Sequence, residues 1–171
     1  MTAWRSVELH VEPPFNYRLS LEATPPLPPL KASGGLLQRC LILEGVAVPV
    51  RLRFEGGIED PRADLLTPSW VGEYLVEEAL RRAMWMTCAE LRLEEAYRAA
   101  DSNPRLARLV EELRGLKPWL APEPWEGLAS SVVFQQVSLR AAYAMLSSLV
   151  QRLGTSIEVE GEVFKAFPTP L

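Results

Sequence analysis

Two neighbouring glutamines, Gln135 and Gln136, stand at the joint between two apolar segments of the chain and are followed by Val137 and Ser138. A long side-chain amide carries both a donor and an acceptor, so it can bind the hydrogen-bonding edge of a nucleic-acid base. It can also cap the free carbonyls at the end of a preceding helix. The residues leave both interpretations open. Ser138 has a simpler explanation, because its hydroxyl can cap the first turn of the following helix.

The stretch around these glutamines carries no negative charge. From Gly127 to Ile157 there is no Asp or Glu, and Arg140 and Arg152 are the only charged residues, in a chain with 22 acids. A phosphate backbone could approach such a surface, which makes Arg140 a candidate DNA contact. A central helical hairpin would lack charge for another reason, so the pattern fits either account. The net charge of -4 argues against binding to nucleic acid through bulk charge.

Composition excludes several other chemistries. The two cysteines, Cys40 and Cys88, lack metal-ligand spacing, and His10 is the single histidine. A zinc site and a Ser-His-Asp triad are therefore excluded, and we expect no metal and no cofactor. No apolar run reaches the ~18 residues that a membrane span needs, and the start of the chain lacks the layout of a signal peptide. We therefore expect a cytoplasmic protein that does not act in a membrane.

Periodicity predicts an antiparallel sheet in the first third of the chain. Apolar residues alternate over residues 4–12, 36–43 and 46–54, and Glu44-Gly45 fits the turn of a hairpin between the last two runs. Residues 15–21 fit either a short helix or a strand. The proline run over residues 25–29 is typical of a surface loop.

From about Trp70 the apolar period becomes helical and predicts a helix that covers the sheet. Two further helices follow, and Asn103 should cap the second of them. The last two helices begin at Pro124 and Ser138 and are apolar nearly all round, so we expect both to be central. A hairpin that turns at Glu160-Gly161 comes last. The expected fold is α+β, with an antiparallel sheet domain over residues 1–88 and a helical domain over residues 89–171.

Four motifs occur in a characteristic order. They are Gly115-Leu116-Lys117-Pro118-Trp119, Pro124-Trp125-Glu126-Gly127-Leu128, Val132-Val133-Phe134-Gln135-Gln136-Val137-Ser138 and Phe167-Pro168-Thr169-Pro170. In these motifs the chain resembles the DNA glycosylases of the helix-hairpin-helix superfamily, and in particular the AlkA-type 3-methyladenine glycosylases. The resemblance covers essentially the whole chain, strongly from about Leu91 and loosely before it.

The resemblance implies base excision repair of double-stranded DNA that contains a damaged, typically alkylated, base. The damaged nucleotide is flipped out of the duplex and its N-glycosidic bond is cut. Gln136 matches the family position whose side chain fills the gap in the stack, with Gln135 beside it as support. The helical domain would then be the first part of an all-α glycosylase domain, and the protein would be associated with the nucleoid.

The chain departs from the family after Pro170. In the family, a helix-hairpin-helix with a glycine-rich phosphate-binding turn and a catalytic aspartate follow the last motif, and this sequence contains neither. Asp60 and Asp64 read as turn residues and Asp101 as a helix cap, so no catalytic residue is assigned. We therefore expect the N-terminal portion of a glycosylase, inactive alone. It should pair with a C-terminal half on a separate chain or self-associate through its apolar helices.

Two alternatives from other classes remain. One is a stand-alone DNA-binding or interaction module that descends from a glycosylase. The other is a small-ligand-binding protein that uses Trp70, Trp85 and Trp125. Aromatic residues at helical spacing are usually core residues, which disfavours this second alternative.

Overall fold

The first part of the chain forms a five-stranded antiparallel sheet. In the computed structural model, which describes residues 3–33 and 35–170, its strands are β1 Trp4–Leu9, β2 Lys31–Ser33, β3 Leu36–Leu43, β4 Val46–Gly56 and β5 Pro61–Pro68. They lie in the order β1-β5-β4-β3-β2. The β3-β4 hairpin is as predicted: Leu43 pairs with Val46, and Glu44 and Gly45 both take positive φ, at 49° and 79°. Two positive φ angles are what a type I′ hairpin turn requires.

The strand β5 was not predicted from the sequence. It lies between β1 and β4 and pairs with both. A proline stands at each of its ends, and prolines normally argue against an inner strand. The expectation that Asp64 lies in a turn is wrong, because it sits within β5. Its carboxylate accepts hydrogen bonds of 2.7 and 3.3 Å from Arg53 on β4. Asp60 does lie in the bend before the strand.

Six helices are present in the described part of the chain. They are α1 Tyr17–Ala23, α2 Glu73–Met86, α3 Glu94–Ala100, α4 Pro104–Glu112, α5 Pro124–Val133 and α6 Leu139–Leu153. As predicted, α2 covers the sheet, and it buries Val76, Ala79 and Ala83 in the main core. Asn103 caps α4 as predicted. The expectation that Asp101 caps the start of a helix is wrong, because Asp101 stands at the C-terminal end of α3. No helix within residues 3–33 and 35–170 has the length and apolar character to cross a membrane.

A C-terminal hairpin covers the opposite face of the sheet. It consists of β6 Ser156–Val159 and β7 Glu162–Lys165, and the predicted turn at Glu160-Gly161 joins them. Phe164 packs beside Cys40 in a second core. The guanidinium of Arg51 lies 4.0 Å from the centre of the Trp4 ring and donates a 2.8 Å hydrogen bond to Glu162. A segment of the predicted helical domain therefore packs on the sheet domain.

The segment over residues 115–119 also enters the sheet domain. The amide of Asn16 donates a 2.7 Å hydrogen bond to the carbonyl of Gly115, whose φ is 77°. A Cβ atom there would lie 2.7 Å from that amide nitrogen, so the position requires glycine. Two residues later, the buried Lys117 ammonium donates to the carbonyls of Glu12 and Ala89 at 2.7 and 2.9 Å. Its burial lowers the pKa of this ammonium.

The buried thiol of Cys40 should make stability depend on alkaline pH. Burial raises the pKa of Cys40 to about 11 from a normal value of 9.0. The unfolded thiol ionises first as pH rises, so the folded state loses relative stability between these two values. Between pH 8.5 and 10.5 the free energy of unfolding should fall by about 2 kcal/mol more for the wild type than for Cys40→Ala. Urea unfolding at each pH measures this, and parallel curves for the two proteins would refute it.

Candidate nucleic-acid interface

The helices α5 and α6 meet at a short joint that residues 135–138 form. The amide of Gln135 donates a 3.1 Å hydrogen bond to the carbonyl of Val132 at the end of α5. On the other side, Ser138 caps α6 as predicted, since its hydroxyl oxygen accepts a 3.3 Å hydrogen bond from the amide of Ala141. Both helix ends are thus closed by local hydrogen bonds.

The two glutamine side chains at the joint face solvent. Gln135, Gln136 and Arg140 are all exposed. Neither side-chain amide makes a hydrogen bond with any residue in 3–33 or 35–170, so neither caps a carbonyl of α5. The capping interpretation is therefore wrong. Both amides are available to a partner outside the described chain.

The backbone of Gln136 adopts a left-handed conformation, with φ at 56°. This conformation costs a residue with a Cβ atom about 1 kcal/mol, whereas glycine adopts it without steric penalty. Glycine would therefore serve the turn better than glutamine does. Glu44, Cys88 and Glu160 adopt the same kind of conformation, so the backbone alone does not assign a role to Gln136.

An aromatic pair ties the joint to the loop after α1. The rings of Phe134 and Tyr143 meet edge to face with their centres 5.9 Å apart. The hydroxyl of Tyr143 donates a 2.8 Å hydrogen bond to the carbonyl of Pro25, and partial burial raises the pKa of this tyrosine. These contacts hold the joint on its core side, and its other side is exposed to solvent.

A mostly apolar cavity of about 580 Å³ opens beside the joint. Its wall combines the proline loop, the segment before α5, and the facing sides of α5 and α6; among its lining residues are Pro25, Leu27, Trp119, Ser130, Phe134 and Tyr143. Ligand pockets in proteins span roughly 300–1,000 Å³, so this cavity has the size of a small-molecule pocket. Among the described residues no aspartate lines the cavity.

A buried ion pair, Arg39 with Glu126, forms part of the cavity wall and joins β3 to α5. Two guanidinium nitrogens donate to the two carboxylate oxygens at 3.1 and 2.7 Å, and the two side chains are 4% and 8% exposed. This ion pair was not predicted from the sequence. One signal was present: Arg39 interrupts the apolar row of Leu37, Leu41 and Leu43 on one face of β3.

The charge of this surface agrees with the sequence pattern. Arg140 is exposed on the first turn of α6 and makes no hydrogen bond or ion pair within the described part of the chain. Other arginines form ion pairs, as Arg53 does with Asp64.

No group of three or more His, Cys, Asp or Glu side chains in residues 3–33 and 35–170 could hold a metal ion.

The expectation that α5 and α6 are central is wrong for the described residues. Large apolar side chains of both helices are exposed: Leu128 and Val132 on α5, and Leu139 and Leu153 at the two ends of α6, are 61%, 57%, 70% and 69% exposed. We call these four side chains the apolar strip. Where exposed apolar side chains form a patch, they mark an interaction site.

The tryptophans of the small-ligand alternative are not core residues either. Trp70, Trp85 and Trp125 are all exposed. The indole N–H groups of Trp85 and Trp125 donate to the carbonyls of Ala121 and Pro168, at 3.1 and 2.9 Å. None of the three lines the cavity beside the joint.

Proteins that share this fold and part of this sequence are DNA glycosylases. No protein-family model matches the chain. It is 26% identical over 144 residues to a probable N-glycosylase/DNA lyase of Methanothermobacter thermautotrophicus, which covers 84% of this chain and 43% of that protein. It is 32% identical over 72 residues, 42% of this chain and 24% of the relative, to a DNA-3-methyladenine glycosylase of Bacillus subtilis.

Solved structures extend the likeness to nearly all of the chain. The 3-methyladenine DNA-glycosylase from Archaeoglobus fulgidus aligns with 96% of it, with a TM-score of 0.77 and 26% identity. The 8-oxoguanine glycosylase/lyase of Clostridium acetobutylicum in complex with double-stranded DNA aligns with 99%, with a TM-score of 0.65 and 16% identity, which shows the fold alone. The chain spans 56% and 54% of these two structures. The resemblance to AlkA-like glycosylases of the helix-hairpin-helix superfamily is therefore confirmed, over about half of their length.

A glycine at the joint should be tolerated. Gln136→Gly removes the steric cost of the left-handed backbone, so its free energy of unfolding should equal that of the wild type or exceed it by up to about 1 kcal/mol. Gln136→Val should lose stability, because a β-branched residue fits this conformation poorly. Urea unfolding of the three proteins checks both expectations. A Gln136→Gly protein clearly less stable than the wild type would show that the fold needs the glutamine.

Proposed function

We propose that this chain is the N-terminal portion of a DNA-repair glycosylase that excises alkylated bases from double-stranded DNA. The observation that carries the proposal is the joint itself. Two exposed amides without a protein partner among the described residues stand next to a cavity of small-molecule size. The likeness to glycosylases over most of the chain supports the same function.

Gln136 fills the gap in the base stack. Flipping a nucleotide leaves its partner base without hydrogen bonds and costs a few kcal/mol of stacking and pairing. The exposed Gln136 amide offers a donor and an acceptor, so it can bind the edge of that orphaned base. Gln135 stands next to it and supports the opened strand.

The flipped base enters the cavity beside the joint. Phe134 and Tyr143 contribute aromatic groups to its wall. A purine methylated on a ring nitrogen carries positive charge, and aromatic faces attract cations more strongly once water is excluded. Alkylated bases therefore suit this cavity better than neutral, normal bases.

The DNA backbone lies along the start of α6. Arg140 provides a positive charge on the first helical turn, and the N-terminal end of the helix adds the favourable end of its dipole. Ser138 orders this end through its cap. These groups position the duplex without reading its sequence.

Cleavage of the N-glycosidic bond needs a group that the described residues do not place in the cavity. The one carboxylate in its wall, that of Glu126, is occupied by two hydrogen bonds from Arg39. The catalytic group should therefore come from the part of such glycosylases that this chain does not match. We propose that this part, present on a separate chain, covers the apolar strip, or that two copies of this chain associate through it, and that the assembly works at the nucleoid.

A stand-alone DNA-binding module is the alternative function. One observation favours it: α2 and the β6-β7 hairpin cover both faces of the sheet, so this part of the chain has a closed core of its own. Such a module would bind DNA in a salt-dependent way, and no complementary chain would restore base release.

The role of Gln136 can be tested by DNA binding of the chain. We expect the wild type to bind a duplex with an abasic-site analogue about tenfold more tightly than a fully paired duplex, since the gap is already open. Gln136→Ala should lose most of this preference while its affinity for single-stranded DNA stays unchanged. Fluorescence anisotropy with labelled DNA measures all three affinities.

Gln151→Ala is the control, because this exposed glutamine lies at the other end of α6, where its side-chain oxygen accepts a 3.0 Å hydrogen bond from Lys165. It should behave like the wild type. Equal affinities of the wild type for the two duplexes, or an equal loss by Gln136→Ala on single and double strands, would contradict the proposed role.

Base release provides a second test. The chain alone should release no base from DNA carrying 3-methyladenine, because no described group at the cavity can activate water or stabilise the sugar cation. Chromatography of the supernatant, with a complete glycosylase as positive control, measures the released base. Robust release by this chain would show that its own residues supply the catalytic group.

A further inference from the structure

The Arg39–Glu126 pair is an unusual way to attach a helix to a sheet. Both charges are almost completely removed from water, and the cost of desolvation is of the same order as the attraction between them. Apolar residues of similar size at such places often stabilise a protein equally well or better. The pair therefore contributes little net stability that a leucine and a methionine could not supply.

What the pair supplies is orientation. A guanidinium and a carboxylate joined by two parallel hydrogen bonds share one plane, whereas apolar contacts have no direction. The pair lines both the cavity beside the joint and a smaller cavity of about 170 Å³ next to the segment after β7. It thus stands between two spaces into which α5 could otherwise shift.

The position of Glu126 on α5 connects this orientation to the joint. Residues four and eight positions further on, Ser130 and Phe134, lie on the same face of the helix and line the same cavity. Any rotation of α5 about its axis would move Phe134 in the cavity wall and would swing Gln136 relative to α6. Holding Glu126 in one plane prevents that rotation.

We infer that Arg39 and Glu126 are positioning residues that set the rotation of α5, and with it the places of Phe134 in the cavity and of Gln136 at the joint. The inference rests on the proposed function for its effect on DNA. Its effect on the order of α5 is independent of that function.

The test compares stability, local order and DNA discrimination in the same variants. The double variant Arg39→Met with Glu126→Leu removes both charges, and Arg39→Lys keeps the charge but loses the two parallel bonds. Arg53→Gln with Asp64→Asn is the matched control, an ion pair within the sheet that is partly exposed. Thermal unfolding, amide hydrogen exchange at residues 128–135, and the ratio of affinities for abasic and fully paired duplexes are measured.

The double variant should unfold at the wild-type temperature or above it. Its exchange at residues 128–135 should be faster, and its affinity ratio should fall by at least about fivefold. Arg39→Lys should show a smaller change in the same direction, and the control pair no change. The inference is overturned if the double variant folds and keeps the hydrogen exchange and the affinity ratio of the wild type. If the double variant does not fold, the inference is overturned when Arg39→Lys keeps both wild-type values.

The two proposals can fail separately. If the wild type does not prefer abasic DNA, the proposed function fails, while hydrogen exchange still tests the positioning role. If the wild type discriminates and both variants discriminate equally well with unchanged exchange, only the positioning role fails. If the unfolding temperature and the affinity ratio of the double variant both fall, the positioning role is also contradicted, because general destabilisation would explain the result.

Discussion

Arg39 and Lys117 are buried cations, and the need of each for acceptors joins segments that are far apart in the chain. Arg39 reaches from β3 to Glu126 on α5. Within residues 3–33 and 35–170 no carboxylate pairs with the Lys117 ammonium, which donates instead to the carbonyls of Glu12 and Ala89. The backbone amide of Lys117 donates to the hydroxyl of Ser20. A buried donor without a hydrogen-bond partner costs more free energy than its hydrogen bond would contribute. Each cation therefore requires its acceptors to stay in place.

The joint between α5 and α6 has contacts on its core side and is exposed on its outer side. The core side of the joint is closed by the contact of Phe134 with Tyr143 and by the cap of Ser138. On its outer side, the side-chain amides of Gln135 and Gln136 make no hydrogen bond within residues 3–33 and 35–170. The backbone of Gln136 is in the left-handed conformation. Local rules are commonly broken at functional sites, where the surrounding structure compensates for the cost. The proposed role of Gln136 would give such a reason for its conformation.

Local signals predicted much of the fold, and long-range contacts account for what they missed. The Glu44-Gly45 turn and the caps Asn103 and Ser138 act within a few residues, so the sequence shows them directly. The pairing of β5 and the contact between Arg39 and Glu126, which lie 87 positions apart, depend on the tertiary arrangement. Apolar composition likewise predicted burial for α5 and α6 but could not show which side has a partner. For the site, the residue types at 135–140 were predictable, whereas their exposure and the cavity beside them were not.

The central claim is that Gln136 enters the duplex where a base has left the stack, and a site-specific disulfide tests it most directly. Gln136→Cys would be mixed with a duplex that carries a tethered thiol on the base opposite an abasic-site analogue, and the cross-linked fraction measured on a denaturing gel. The account predicts efficient cross-linking with this duplex, little with the same thiol in a fully paired duplex, and little for Gln151→Cys. Equal cross-linking by the two cysteine variants, or none by Gln136→Cys with the abasic duplex, would contradict it.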